Sequence, residues 1–156
     1  MKLQILSTKI VKCFFKRIKM LFTKASEYAL LSMIFIARNK EPVGVDTISN
    51  ELKIPKSFLA KILQDLARDG ILQSFKGAKG GFLLAKKPLE ISLNEIVQSA
   101  EKKQNSIFEC SNNRASCPLN KGEICEIWHI FSGIQNKVDA ILDNFTLENF
   151  IKESNK

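Results

Sequence analysis

Three cysteines lie within sixteen residues in the back half of this chain, and their types and spacing suit metal binding. Six residues separate Cys110 from Cys117, and seven separate Cys117 from Cys125. The intervening loop contains Pro118 and Gly122, so the three side chains could converge on one centre. Thiolates are soft ligands that favour iron–sulfur clusters or zinc. We therefore expect a metal site, holding a 2Fe-2S or 4Fe-4S cluster or, as the alternative, zinc in a Cys₃His arrangement.

The fourth ligand is open at this point. His129 follows Cys125 by four residues, which would place both on one face of a helix. It also lies beside Trp128 on an apolar segment, where a packing role fits equally well. A disulfide framework would leave one of the three cysteines unpaired, and the expected cytoplasmic location disfavours it. Three cysteines in a polar, turn-rich loop are also poorly explained by core packing.

The elements before this loop are those of a DNA-binding module. A helix capped by Thr23 is followed by a short helix over Val45–Leu52, a tight break, and a third helix over Lys56–Asp69. In the third helix Leu59, Leu63 and their neighbours form a buried stripe. The opposite face is polar and cationic, with Lys56, Ser57, Lys61 and Gln64 among the exposed residues. Two such helices in tandem predict a helix-turn-helix whose second helix enters the major groove.

A glycine- and lysine-rich hairpin follows the third helix. We expect short strands over Ile71–Phe75 and Phe82–Ala85, with Lys76 and Lys79 in the loop between them. This pattern predicts a wing that reaches phosphates or the minor groove. The loop is not a Walker A motif, because no Ser or Thr follows its lysine and the next segment is a strand.

The charge distribution supports the same division. Residues 1–19 carry a net charge of +6, residues 20–87 carry +5, and residues 88–156 carry −3, out of +8 for the whole chain. A basic front half is typical of polyanion binding. We divide the chain into a basic extension (1–19), a winged helix-turn-helix (20–87), a connecting helix with the cysteine loop (88–125), and a dimerisation helix with its tail (126–156).

The composition excludes other classes. No apolar run reaches the roughly 20 residues of a membrane span, so we expect no membrane partner. One His and the absence of a Ser/His/Asp or HxE grouping argue against an enzyme. The fold class we expect is mainly α with a small β-hairpin wing, a winged helix-turn-helix plus a long dimerisation helix.

The last long helix carries an apolar stripe suited to a partner. Its members recur at three- and four-residue steps over about five turns. They are Ile127, Ile130, Phe131, Ile134, Val138, Ile141, Leu142 and Phe145. The stripe could pack within the chain, but a homodimer would match a palindromic operator and double the DNA contacts.

Five segments together resemble the IscR/NsrR-type (Rrf-type) family of winged-helix transcriptional regulators. They are LFTKASEYALLSM, IPKSFLAKILQDLARDGIL, KGAKGGFLLAK, the three cysteines with Cys-Pro-Leu, and AILDNFTLENF. The resemblance spans Met20 to about Phe150. It implies a homodimer on double-stranded DNA, with Ser57, Phe58 and Lys61 contacting base edges or backbone and Lys76 and Lys79 contacting phosphates or the minor groove. Relatives commonly have Arg where Lys76 stands.

The resemblance also implies a switch. Cys110, Cys117 and Cys125 match the cysteines that hold the cluster in sensing members. Some relatives have shorter intervals between the cysteines and place their cluster-binding His three residues after the last one, where this chain has Trp128. Glu27 matches an acidic ligand that some relatives supply from the other subunit, although a surface acid near a helix N-terminus is the plainer interpretation. We therefore expect a repressor sensing redox state, nitric oxide or iron, or alternatively a cluster-free or zinc-bound repressor regulated by a protein or small-molecule partner.

Overall fold

The computed structural model describes residues 22–77, 79–103 and 106–153. Its helices and strands are, in chain order, α1 (Lys24–Ala37), α2 (Val45–Leu52), α3 (Lys56–Arg68), β1 (Leu72–Phe75), β2 (Gly81–Leu84), α4 (Leu93–Glu101), α5 (Trp128–Asn144) and α6 (Leu147–Glu153). The mainly helical fold with a two-stranded hairpin is confirmed. None of the described helices is long and apolar enough to cross a membrane. The basic extension over 1–19 lies outside the described residues.

The first three helices surround one apolar core. Met33 of α1, Ile48 of α2, and Leu59 and Leu63 of α3 are completely buried. The hydroxyl of Thr23 accepts a hydrogen bond from the amide of Ala25 at 3.1 Å, so α1 begins with the predicted cap. The shared core fixes the orientation of α3 relative to α1 and α2.

Helix α3 ends one residue earlier than predicted. Asp69 is its C-cap, and Gly70 follows in the left-handed region at φ 72°. The amide of Ile71 donates to the carbonyl of Leu66 at 3.0 Å, and that of Gly70 donates to Ala67 at 3.2 Å. These are the two bonds of a Schellman motif. Because Ile71 takes part in this helix ending, the first strand starts at Leu72 rather than at Ile71.

The hairpin is antiparallel and has a third contributor that the sequence did not indicate. Leu72 pairs with Leu84 and Phe75 pairs with Gly81, so β2 begins and ends one residue before the predicted strand. Val43 forms an isolated bridge with Phe82 through two backbone hydrogen bonds, of 3.0 and 2.9 Å. The hairpin is thereby attached to the segment between α1 and α2.

Helix α4 lies against α1 and begins with a capping box. The hydroxyl of Ser92 accepts from the amide of Glu95, and the carboxylate of Glu95 accepts from the amide of Ser92, both at 3.1 Å. Leu93 and Val97 of this helix form a small second core with Leu142 of α5.

The apolar stripe of α5 does not face a single surface. Leu142 is buried inside the protomer, and Phe131 stacks on Phe108 with ring centroids 4.1 Å apart. The remaining large members are between 43% and 61% exposed: Ile127, Ile130, Ile134, Ile141 and Phe145. Part of the predicted stripe therefore packs within the chain, and contact of its exposed part with a second copy stays a prediction.

Candidate nucleic-acid interface and metal centre

The turn between α2 and α3 sets the helix-turn-helix geometry. Lys53 adopts the left-handed conformation at φ 56°, and the hydroxyl of Ser49 donates to the carbonyl of Ile54 at 2.6 Å. This bond closes the predicted break at Lys53–Pro55 without a glycine. Pro55 precedes α3 and provides no side-chain cap. The exposed first turn of α3 therefore keeps backbone N–H groups that suit a phosphate oxygen.

The predicted contact residues of α3 all lie on its solvent side. Lys56, Ser57, Phe58, Lys61 and Gln64 are exposed. Phe58 is 40% exposed because one edge of its ring packs against Tyr28, with centroids 5.8 Å apart. The structure thus brings these side chains onto one face, as the sequence predicted, and adds a packing role for Phe58.

One of these cations already has a partner. The ammonium of Lys56 lies 2.5 Å from a carboxylate oxygen of Asp46 in the first turn of α2. None of the ion pairs between described residues involves Lys61, Lys76 or Lys79. Sequence analysis did not anticipate Asp46, which lies ten residues before Lys56 on the neighbouring helix.

The wing places two lysines at an exposed tip. Lys76 and Lys79 are both exposed. A Cβ at Gly80 would lie 2.4 Å from the carbonyl oxygen of Phe75, and one at Gly81 would lie 2.4 Å from the backbone of Val43. These glycines let the turn close and let β2 approach the Val43 segment, which fixes the hairpin that carries the two lysines.

The cysteine segment consists of two packed 3₁₀ turns. Cys117 ends the turn Arg114–Ser116, and Cys125 ends the turn Gly122–Ile124. In each case the backbone N–H of the cysteine donates a hydrogen bond to the first carbonyl of the turn. Gly122 is buried, and a Cβ there would lie 2.1 Å from the carbonyl oxygen of Arg114. The glycine therefore allows the two turns to touch, which brings the backbones at Cys117 and Cys125 into the same compact region.

The third cysteine is tied to the start of α5. The indole nitrogen of Trp128 donates to the carbonyl oxygen of Cys110 at 2.9 Å. All three cysteines are free thiols of intermediate burial. Their donor types fit a soft metal or cluster. Within the described ranges, however, no group of three His, Cys, Asp or Glu side chains is placed so that it could hold a metal ion.

His129 does not share a helical face with Cys125. The amide of Cys125 closes a 3₁₀ turn on Gly122, and α5 begins only at Trp128. The Nε2 atom of His129 lies 3.0 Å from a guanidinium nitrogen of Arg114. Arginine can only donate, so a hydrogen bond in this contact uses Nε2 as the acceptor. The Arg114 guanidinium also lies over the Trp128 ring, 4.4 Å from its centroid.

Glu27 lies in the first turn of α1 and is half exposed. Its carboxylate is 2.5 Å from the ammonium of Lys24. This pair raises the pKa of Lys24, first through the hydrogen bond to Glu27 and then through its charge. The position suits the surface acid of a helix N-terminus, and an exposed carboxylate is also available to a second subunit.

Sequence analysis missed two buried carboxylates. Asp65 of α3, with a side chain 6% exposed, pairs with Arg68 at 2.5 Å and with Lys102 at 2.8 Å. Burial alone would raise the pKa of Asp65, but the hydrogen bonds and charges of Lys102 and Arg68 hold it below its usual value. Asp65 falls among the leucines of the buried stripe, three residues before an arginine, and that spacing was the available signal.

Glu101, at the end of α4, is the second buried carboxylate. It accepts hydrogen bonds from the hydroxyls of Thr23 and Ser26 and from the amide of Thr23. Burial would raise its pKa, but the hydrogen bonds from Ser26 and Thr23 lower it below the usual range. The carboxylate therefore stays ionised and ties α4 to the start of α1.

A helix-turn-helix carrying an exposed polar row beside a lysine-tipped hairpin defines a winged-helix DNA-binding protein. The profile of the Rrf2 family, described as "Iron-dependent Transcriptional regulator", matches residues 22–153. The chain belongs to the Rrf2 family of transcriptional regulators, which confirms the resemblance found in the sequence.

Individual relatives agree with this assignment. A putative HTH-type transcriptional regulator of Aquifex aeolicus is 39% identical over 80 residues, covering 51% of this chain and 56% of that protein. The HTH-type transcriptional regulator NsrR of Bacillus licheniformis is 29% identical over 135 residues, covering 85% of this chain and 92% of that protein. Among solved structures, CymR (YrzC), the global cysteine regulator of Bacillus subtilis, has the same fold, with a TM-score of 0.64, 22% identity, and coverage of 85% of this chain and 96% of that one.

Proposed function

We propose that the chain is a homodimeric, cytoplasmic repressor that binds a palindromic operator and is switched by an iron–sulfur cluster on Cys110, Cys117 and Cys125. The observation that supports the DNA-binding part is the exposed polar and cationic side of α3, together with the two exposed lysines of the wing. Polar and cationic side chains on that face lie next to uncapped backbone N–H groups, a combination suited to base edges and phosphates.

The contacts divide by chemistry. Ser57, Lys61 and Gln64 project from the helix that enters the major groove, so they read bases. Lys76 and Lys79 at the wing tip bind phosphates or the minor-groove edge, where charge matters more than sequence. Lys61→Ala should therefore reduce discrimination between operator and random duplex. Lys79→Ala should weaken binding to both and flatten the salt dependence by up to about one unit of slope.

The cluster part rests on the donor set and on where it is attached. Cys117 and Cys125 end the two packed turns before α5, and the carbonyl of Cys110 accepts from Trp128 at the start of α5. A cluster on the three thiols would supply a group sensitive to oxygen, nitric oxide and iron supply. His129 is disfavoured as the fourth ligand, because its Nε2 lone pair accepts from Arg114. The exposed carboxylate of Glu27 in the partner subunit is the better candidate, and it would connect cluster state to dimer geometry.

The homodimer rests on the exposed part of α5. Ile130, Ile134 and Ile141 are between 43% and 61% exposed on a helix whose other side is already packed. Large aliphatic side chains at this spacing favour helix–helix contact with a second copy. Two copies would present two α3 helices to successive major grooves.

Anaerobic purification tests the cluster. We expect visible absorbance and stoichiometric iron in the wild-type protein, both lost in Cys117→Ala, and operator affinity that differs between loaded and stripped protein. Ser116→Ala, which changes the neighbouring exposed residue, is the matched control and should retain iron. Colourless, iron-free protein after anaerobic reconstitution would contradict the cluster and leave DNA binding intact.

A second candidate function is supported by one observation. Because the three thiols do not converge among the described residues, the alternative is a cluster-free repressor regulated by a protein or small-molecule partner. A zinc-bound repressor is the other form of this alternative, and it requires the thiols to converge just as a cluster does. Regulation that survives replacement of all three cysteines by alanine would favour a cluster-free repressor. Stoichiometric zinc in place of iron would favour the zinc-bound form.

A further inference from the structure

The centre of α3 contains a charged group that its DNA-facing side does not require. Asp65 is a buried carboxylate between the core residues Leu63 and Leu66. Burying an ionised carboxylate is costly unless cations and hydrogen bonds compensate. Arg68 lies on the same helix as Asp65, so its charge offsets the cost of burying the carboxylate but does not connect α3 to another helix. Lys102 compensates from outside, and its contact with Asp65 at 2.8 Å spans 37 positions of the chain.

Lys102 occupies an unusual place in the backbone. It is the C-cap of α4 and adopts the left-handed conformation at φ 56°. Glycine adopts this conformation without the Cβ penalty that lysine carries. From this position the side chain of Lys102 reaches Asp65.

The position of Lys102 along the chain gives this contact its meaning. Lys102 lies eight residues before Cys110, where the chain leaves α4. The preceding residue, Glu101, is anchored to Thr23 and Ser26 at the start of α1. Two adjacent residues at the end of α4 thus fix it to α1 and to α3. Helix α4 therefore contacts α3 close to the point where the chain leaves toward Cys110.

We propose that the Asp65–Lys102 ion pair positions the recognition helix relative to the cysteine segment, so that the state of the cysteines and the occupancy of the DNA face depend on each other. This inference rests on the proposed function. Asp65 and Lys102 are positioning residues that contact neither DNA nor metal. Since coupling between two binding sites is reciprocal, DNA bound on α3 must also change the surroundings of the cysteines.

The single tryptophan of the chain provides a direct readout of that reciprocity. Trp128 donates to the carbonyl of Cys110, so its fluorescence reports on the cysteine segment. The experiment uses the full chain with reduced thiols and a labelled inverted-repeat duplex selected by this protein from a random-sequence library. Anisotropy of the label measures binding, and Trp128 emission measures the response of the cysteine segment in the same titration.

Two substitutions distinguish the contact between α3 and α4 from the neutralisation of the Asp65 charge. Lys102→Met removes the partner on α4, whereas Arg68→Met removes the partner on α3 itself and is the matched control. We expect the duplex-induced change in Trp128 emission to persist in wild type and Arg68→Met and to fall about fivefold or more in Lys102→Met, even at saturating duplex. Lys102→Arg, which keeps the charge, should restore it. Asp65→Asn supplies the same test from the α3 side if Lys102→Met folds poorly.

The outcomes are distinguishable. A wild-type response in Lys102→Met and Asp65→Asn overturns the relay while leaving DNA binding in place, as does wild-type protein that binds duplex without any change at Trp128. Equal loss in Arg68→Met and Lys102→Met also overturns it, because the effect would then come from stabilising Asp65 alone. Wild-type protein that selects no duplex overturns the proposed function, and the relay with it.

Discussion

The ion pair between Lys56 and Asp46 predicts that removing an acid will tighten DNA binding. Lys56 is the first residue of α3 and a predicted DNA contact, but its ammonium lies 2.5 Å from Asp46. To reach a phosphate, Lys56 must leave this carboxylate, and the carboxylate itself repels the phosphate backbone. Asp46→Asn removes both effects while keeping a polar side chain of the same size.

The magnitude follows from the exposure of the pair. The side chains of Lys56 and Asp46 are 61% and 71% exposed, and ion pairs this open contribute about 0–1 kcal/mol. The expected gain in affinity is therefore at most about fivefold per subunit. The salt dependence should steepen by up to about one unit of slope per additional phosphate contact. Loss of an acid from the first turn of α2 should cost about 0.3–1 kcal/mol of stability.

Fluorescence anisotropy of a labelled operator, measured at several salt concentrations, tests this. Glu148→Gln is the matched control. It makes the same change in net charge and breaks an exposed pair with Lys152 at 3.1 Å, but it lies on α6. Weaker or unchanged binding by Asp46→Asn with an unaltered slope would refute the assigned face. An equal gain from Glu148→Gln would show that net charge alone is responsible.

Three further predictions concern the wing, the buried acid and the dimer. Gly81→Ala should lower the free energy of unfolding in urea by about 1–3 kcal/mol, because its Cβ would lie 2.4 Å from backbone atoms. Gly44→Ala should cost less, because its Cβ would lie 3.8 Å from the nearest atom and its φ is −69°; the reverse order would contradict the wing geometry. The pKa of Glu101 is lower in the folded protein, so this carboxylate stabilises the fold at pH values above its unfolded pKa of about 4.3. That stabilisation is lost as the pH falls through the folded pKa. In urea titrations at several pH values, Glu101→Gln should therefore show a smaller loss of stability on acidification than the wild type. Ile134→Lys should shift the protein to monomers in light scattering, whereas Asn136→Lys, the same charge change beside it, should not.

Local patterns explain why so much of the DNA-binding module could be predicted. The limits of α2, the Thr23 cap and the ending at Gly70 follow from interactions within a few residues, which the sequence displays directly. The bridge from Val43 to Phe82 was not predictable in this way, because it joins two segments that meet only after α1, α2 and α3 have packed. Its single local signal was one β-branched residue between Pro42 and Gly44.

The candidate site was predictable only where it is local. The exposed row on α3 follows from helical periodicity, and the structure places those residues together. The partner of Asp65 lies on another helix, so no spacing rule identifies Lys102. The expectation that His129 and Cys125 share a helical face was wrong because it assumed that the helix extends through Cys125, where a 3₁₀ turn ends instead.

The geometry of α5 explains how a change at three small side chains could alter a DNA contact far away. This helix begins at Trp128, which is bonded to Cys110, and is anchored near its end by the buried Leu142. Its 17 residues extend about 25 Å. Because one end contacts the cysteine segment and the middle exposes Ile130 and Ile134, a small tilt at the first turn displaces the surface that a second copy would contact. In the proposed dimer that tilt would change the separation of the two α3 helices, and operator affinity would respond because half-site spacing is fixed by the DNA.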